Sequence, residues 1–148
     1  MKNEAKYYHA ATEGITTTVA SEFLYSVQNL SARKMSTKTE LFERLSKARL
    51  YIESHYDKPI QLDDLARVAM LSKYHMLRSY KEAFGITPYK QVLKLRLAKA
   101  KEMLEETYSF DEIAYHLGFS DRRSFTKAFK KGLGISPAKY RKSVGNPN

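Results

Sequence analysis

From Arg122 to Asn148 the chain carries eight lysines and arginines and no acidic residue. Arg122, Arg123, Thr126 and Lys127 share one face of a helical stretch, and Lys130 and Lys131 lie further along it. Phe125, Ala128 and Phe129, at i, i+3 and i+4, make an apolar face on the same stretch. A guanidinium donates in a planar fork that matches phosphate oxygens and the O6/N7 edge of guanine. A lysine neutralises a phosphate as a point charge, and a threonine hydroxyl reaches bases or phosphates. A helix that buries one face and presents a basic one is suited to lie against phosphates and read base edges.

The elements that must position these residues are marked at their ends. Asp121 is placed to cap a helix start, and Gly134 to end it in the left-handed conformation. Ser136-Pro137 opens the next helix, serine as cap and proline at the first position. The same stretch occurs twice. Shifted by forty-nine, Ser72 meets Asp121, Met76 meets Phe125, Arg78 meets Lys127, Tyr80 meets Phe129, Gly85 meets Gly134 and Pro88 meets Pro137. Upstream, Leu65-Ala66 meets Ile113-Ala114 at a shift of forty-eight, so the second copy has one extra residue in its turn. Each copy reads as a short helix, a tight turn and a second helix. Gly118 suits a turn that needs positive φ; the first copy has Met70 near that place and must turn without glycine.

These residues resemble the DNA-binding domain of the AraC/XylS (arabinose-regulator) family over roughly Leu41 to Arg141. The first unit carries the family pattern as Leu65-Ala66, Ser72, Met76, Arg78, Tyr80-Lys81, Gly85 and Thr87-Pro88. The second carries it as Ile113-Ala114, Gly118-Phe119, Phe125, Phe129-Lys130-Lys131, Gly134, Ser136-Pro137 and Tyr140-Arg141. The resemblance implies an all-α fold of two homeodomain-like helix-turn-helix units joined by a long helix, with an N-terminal helical arm. It implies sequence-specific binding to double-stranded DNA, promoter binding and often activation through RNA polymerase. By motif alignment the positions of base-edge contact are Tyr74, His75, Leu77 and Arg78 in the first unit and Arg122, Arg123, Thr126 and Lys127 in the second. Arg78 and Arg123 are the foremost base readers; a packing role stays open for His75. Lys73, Lys81, Lys130, Lys131 and Lys139 read as phosphate contacts, with a solvated basic face as the plain alternative. Met76, Tyr80, Phe125 and Phe129 read as core.

Composition agrees. The 148 residues suffice for one domain with a core, and a hydrophobic content of 43% argues against disorder. The formal charge of +10 and isoelectric point near 9.7 point to a polyanionic partner. Residues 1–40 carry net +1 and residues 41–148 net +9. With no cysteine there are no disulfides or thiolate metal sites, which fits a reducing cytoplasm. No apolar run approaches the roughly 20 residues of a membrane span. Catalytic and cofactor patterns are lacking: His9, His55, His75 and His116 share no short metal spacing, and Gly132-Leu133-Gly134 is a helix ending rather than a nucleotide loop. The expectation is a non-enzyme without cofactor or metal.

In order along the chain, Met1 to Thr18 is expected to be loosely ordered or a strand fragment. A helix from about Thr18 to Arg33 has Val19, Phe23, Val27 and Leu30 as its stripe, and Ser31 to Thr39 is a polar linker. The domain then runs from 41 to 144: first unit 41–87, linker helix 88–106, second unit 107–144, with 145–148 as tail. Leu41 to His55 opens it with Leu41, Leu45, Ala48 and Ile52 on one face. Asp63 and Asp64 favour a helix start at Leu62, and Ser109 with Glu112 forms a capping box before Phe110 to Leu117. The linker helix, at 1.5 Å per residue, spans roughly 28 Å against about 34 Å for a DNA turn. A rod of this length suits two helices in successive major grooves. The arm docks on the domain, joins two chains as a weak dimer, or is the stub of a larger module; docking or partial disorder is preferred over dimerisation. Two other readings use the same features: an antagonist that acts through the Val19–Leu30 stripe, and an RNA binder, which lacks exposed aromatics in a stacking pattern. If about six phosphates are contacted, log K for duplex DNA falls with log salt at a slope of roughly −5. A fluorescence-anisotropy titration series in salt checks this, and a flat response contradicts it.

Overall fold

A computed structural model describes residues 16–32 and 34–145 of the chain. Among them every regular element is an α-helix: α1 Thr16–Gln28, α2 Met35–His55, α3 Leu62–Ala69, α4 Lys73–Phe84, α5 Pro88–Glu105, α6 Phe110–His116, α7 Arg122–Leu133 and α8 Pro137–Ser143. The pairs α3–α4 and α6–α7 are two helix-turn-helix units, and α5 runs between them. Side-chain caps set most of the starts. Ser72 accepts from the His75 N–H, Thr87 from Lys90 and Ser136 from Lys139, while Asp121 Oδ1 accepts from Ser124 at 2.6 Å. Ser109 and Glu112 bond each other's backbone N–H reciprocally, a capping box. Gly85 and Gly134 end α4 and α7 at φ of 72° and 78°. The expected helices hold to within a residue here, α5 and α6 each stopping one residue early.

Two hydrophobic cores result. Leu45, Ala48, Ile52, Leu65, Met76 and Tyr80 lie in the first, and Leu104, Ile113, Phe125 and Phe129 in the second. The repeat-related residues Met76 and Phe125, Tyr80 and Phe129 are all fully buried. Burial of Met76, Phe125 or Phe129 is worth about 1.5–3 kcal/mol each relative to exposure. The two turns have the same geometry. Leu71 N–H bonds Ala66 O and Phe119 N–H bonds Ala114 O, both at 2.9 Å. The left-handed residue is Gly118 at φ 69° in the second and Met70 at φ 52° in the first. Met70 therefore adopts a conformation that costs a non-glycine residue about 1–3 kcal/mol. Its carbonyl receives the Arg44 guanidinium at 3.5 Å.

The N-terminal segment departs from the sequence reading. The expected linker at Ser31 to Thr39 is corrected: α2 begins at Met35, six residues before Leu41, and crosses position 40/41. Residues 34–37 are exposed, so no apolar stripe announces that first turn, and Lys34 at its start makes no side-chain cap bond. Helix α1 stops at Gln28 rather than Arg33, and Lys38 Nζ donates to the Gln28 carbonyl at 2.9 Å. Residues 1–15 lie outside the described residues, whereas Thr16–Thr18 open α1. The arm packs on the first unit through Val27 and Leu30, both buried, and through Phe23, whose ring meets Phe42 edge-on at 5.0 Å. Val19 lies on α1, but its side chain is outside the described residues.

Helix α5 supplies Val92 to the first core and Leu97, Ala100 and Leu104 to the second. Among the described residues no helix is long and apolar enough to cross a membrane. The docked arm makes a direct stability prediction. Leu30, 2% exposed, is expected to cost about 2–5 kcal/mol when cut to alanine. Leu24, 51% exposed on α1 six residues earlier, should change stability by less than about 0.5 kcal/mol. Urea denaturation of Leu30→Ala and Leu24→Ala reads the difference; equal costs contradict the docking.

Candidate nucleic-acid interface

Helix α4 buries Met76, Ser79, Tyr80 and Ala83 and turns the opposite face outward. The sequence-predicted residues Lys73, Tyr74, His75, Leu77, Arg78 and Lys81 are all exposed there. Tyr74 is 75% exposed and Leu77 41%. Helix α7 repeats the arrangement. Phe125 and Phe129 are fully buried, while Arg122, Arg123, Lys127, Lys130 and Lys131 are exposed and Thr126 is half-buried. Lys139 is exposed on α8. The predicted residues thus gather into two faces, one per unit.

The charges on these faces are not equally available. Lys73 Nζ meets Asp63 at 2.6 Å, and Arg122 lies 3.5 Å from Asp111 with its guanidinium 5.0 Å from the Phe110 ring centroid. Arg78 Nε donates to Glu82 Oε1 at 2.9 Å. Arg123, Lys127, Lys81, Lys130, Lys131 and Lys139 hold no carboxylate among the described residues. Exposed pairs of this sort are worth at most about 1 kcal/mol. A phosphate can displace such a carboxylate from an arginine.

The least expected neighbour is Ser31. Its N–H and hydroxyl both donate to the Glu82 carboxylate, at 3.2 and 2.8 Å, and Arg78 Nη2 reaches Ser31 Oγ at 3.4 Å. The arm therefore closes on the flank of α4. Beside this contact a groove of about 510 Å³ opens, flanked by Arg44, Leu71, His75 and Arg78. Glu82 is visible in the sequence as the i+4 partner of Arg78. Ser31, forty-seven residues from Arg78, has no sequence signal. The same holds for Asp111 and Phe110 beneath Arg122, which only the folded turn brings together. Among the described residues no group of histidines and carboxylates is placed to hold a metal ion.

Partial burial works to raise the Glu82 pKa, and the bonds from Arg78 and Ser31 outweigh it and hold the carboxyl below its ordinary 4.5. The Glu82 bond, with its charge, raises Arg78 in turn. Because the folded value of Glu82 is depressed, its contribution to stability is present above the unfolded value and is lost as pH falls through the folded one. Carbon-detected NMR is expected to show Glu82 titrating below 4.5, and Ser31→Ala to move the midpoint upward. A midpoint indifferent to Ser31→Ala contradicts the contact.

Comparison with known proteins adds the following. A family described as a helix-turn-helix domain matches residues 65–143. The transcriptional activator RhaS of Escherichia coli is 31% identical over 131 residues, covering 86% of this chain and 47% of its own. A transcriptional regulator with an AraC-type DNA-binding domain from Chromobacterium violaceum superposes with a TM-score of 0.62 at 28% identity, over 72% of this chain and 96% of its own. The DNA-binding domain of the global transcriptional factor AdpA, solved in complex with a target DNA, superposes at 0.63 and 28% identity over 67% and 90%. The chain spans between 36% and 47% of the length of the first curated relatives it matches.

Proposed function

Because the chain belongs to the AraC/XylS family of helix-turn-helix proteins, we propose that it binds double-stranded DNA in a sequence-specific way and regulates transcription there. The observation that carries this is the doubled face. Two helices of one build each bury an apolar stripe and expose a basic one, in two units joined by an 18-residue helix about 27 Å long. That length is close to one turn of duplex, which suits α4 and α7 to successive major grooves. The likeness to a domain solved on its target DNA supports the same reading.

In this proposal residues 41–144 are the DNA-binding domain, and the assignments are chemical. Arg78 and Arg123 take guanine edges, with Tyr74, His75, Leu77, Arg122, Thr126 and Lys127 beside them. Lys73, Lys81, Lys130, Lys131 and Lys139 neutralise phosphates. Lys73 must leave Asp63 to reach a phosphate and Arg122 must leave Asp111 to reach a base edge, so their net gain is smaller than that of Lys130 or Arg123. Leu77 and the Tyr74 ring offer apolar contact of the kind a thymine methyl accepts. Contact with RNA polymerase, action as a monomer and a cytoplasmic place of work belong to the same proposal.

A site is first selected from randomised duplex DNA. Arg123→Ala should leave stability within about 0.5 kcal/mol of the parent. Its binding to the selected site should weaken by about 1–3 kcal/mol, with relaxed preference at one or two base pairs. Arg78→Ala should do the same about one helical turn away. Lys130→Ala should weaken all sequences alike and make the salt slope shallower by about one. Arginine variants that keep full sequence preference are phosphate contacts, and the base-reading assignment then fails.

A further inference from the structure

The two recognition helices belong to different units, so the distance and twist between them depend on how the units are held together. A cation sits at that junction. Arg96, on α5 and half-buried, donates Nε to the Tyr56 carbonyl at 2.6 Å and Nη2 to the Lys58 carbonyl at 2.9 Å, both between α2 and α3. Its Nη1 donates to the Gly118 carbonyl at 2.9 Å, in the turn between α6 and α7. One planar group thus holds three backbone carbonyls from two units. The guanidinium also lies 5.3 Å from the centroid of the Phe119 ring, next to Gly118.

The backbones are close at this point. A Cβ on Gly118 would stand 2.6 Å from Asp57 O and 2.9 Å from Arg96 Nη2. Gly118 is required twice over, by its φ of 69° and by this approach. The Tyr56 ring, whose own carbonyl Arg96 holds, packs against both cores. Apolar burial along α5 keeps the units attached, but it is non-directional and tolerates a small roll. The guanidinium fork has fixed directions, and a roll of one unit misaligns its bonds to the other.

We infer that Arg96 is the positioning residue that sets the spacing and rotational phase between α4 and α7, and through them the number of base pairs this chain accepts between the two halves of its site. The second part rests on the DNA-binding reading above; the first does not. Adding one base pair between the halves moves one of them about 3.4 Å along the duplex and roughly 35° around it. A rigid pair of units loses one set of contacts, and a loosened pair follows the shift.

Two readouts separate these parts. The chain has no cysteine, so Arg67→Cys with Lys142→Cys, at exposed positions of the two units, places spin labels cleanly. Electron–electron double resonance on the free protein is expected to give a narrow distance distribution, and a broader or displaced one when Arg96→Gln is added. On the selected duplex, Kd is then measured at the selected spacing and with one base pair added or removed. The ratio is expected to be on the order of tenfold for the parent and to fall toward one for Arg96→Gln. Taking the ratio within each variant cancels the general loss of affinity from removing a cation. If Arg96→Gln loses its cooperative melt, Arg96→Lys, which keeps the charge but not the fork, carries both measurements with the same expectation. Gly118→Ala keeps the arginine in the chain but forces a Cβ against Asp57 O and Arg96 Nη2, and should also lower the ratio. Unchanged label distances together with an unchanged ratio in a folded Arg96 variant overturn the inference and leave DNA binding intact. A parent chain without spacing preference overturns the two-groove reading and the site-spacing part with it, while the label distances still decide whether Arg96 orients the units.

Discussion

Helix α5 lends buried side chains to both cores. Val92 enters the first core and Leu97, Ala100, Met103 and Leu104 enter the second, so one helix is a wall of both. Units with helices of seven to twelve residues bury too little apolar surface to offset their own ordering entropy. Sharing a helix solves that and fixes which way each unit faces. The exposed basic faces follow, because Met76, Tyr80, Phe125 and Phe129 must point at the cores and the intervening residues must then point away.

The two units are alike in plan and unlike in detail. The left-handed turn residue is glycine where the backbone of the first unit presses against it, and in the first unit it is Met70, 63% exposed. The second unit has the barer charge: Arg123, Lys127, Lys130 and Lys131 have no carboxylate among the described residues, while Arg78 in the first is engaged by Glu82 and through it by Ser31. An unpaired cation meets a phosphate without first giving up a partner. In the proposed function the second unit would therefore contribute the more salt-dependent share of binding, and the first a face whose arginine is held in one orientation by the arm.

The arm has two attachments of different kinds. Val27 and Leu30 bury apolar surface, which gives strength without direction. Ser31 bonds a carboxylate on α4, which gives direction with little strength at an exposed site. Together they place a segment far away in sequence beside α4, and Lys38 on the Gln28 carbonyl joins α1 to α2 at the turn between them.

Much of this was legible in the residues because its causes are local. Caps at Ser72, Thr87, Ser109, Asp121 and Ser136 act within three residues, and a left-handed end at Gly85 or Gly134 depends on one φ. Buried stripes follow from helical period, so the all-α fold, the repeat and the exposed positions of Tyr74, Arg78, Arg123 and Lys127 could be read directly. The first turn of α2 could not, since residues 34–37 face solvent and carry no periodicity. Still less could the partners of these side chains. Ser31 on Glu82, Asp111 and Phe110 on Arg122, and three carbonyls from two turns on Arg96 are contacts between residues 11 to 51 positions apart. A residue type states what it can bond. Which carboxylate or carbonyl stands within 3 Å of it is decided by how packed helices carry distant backbone together, and that depends on the whole fold.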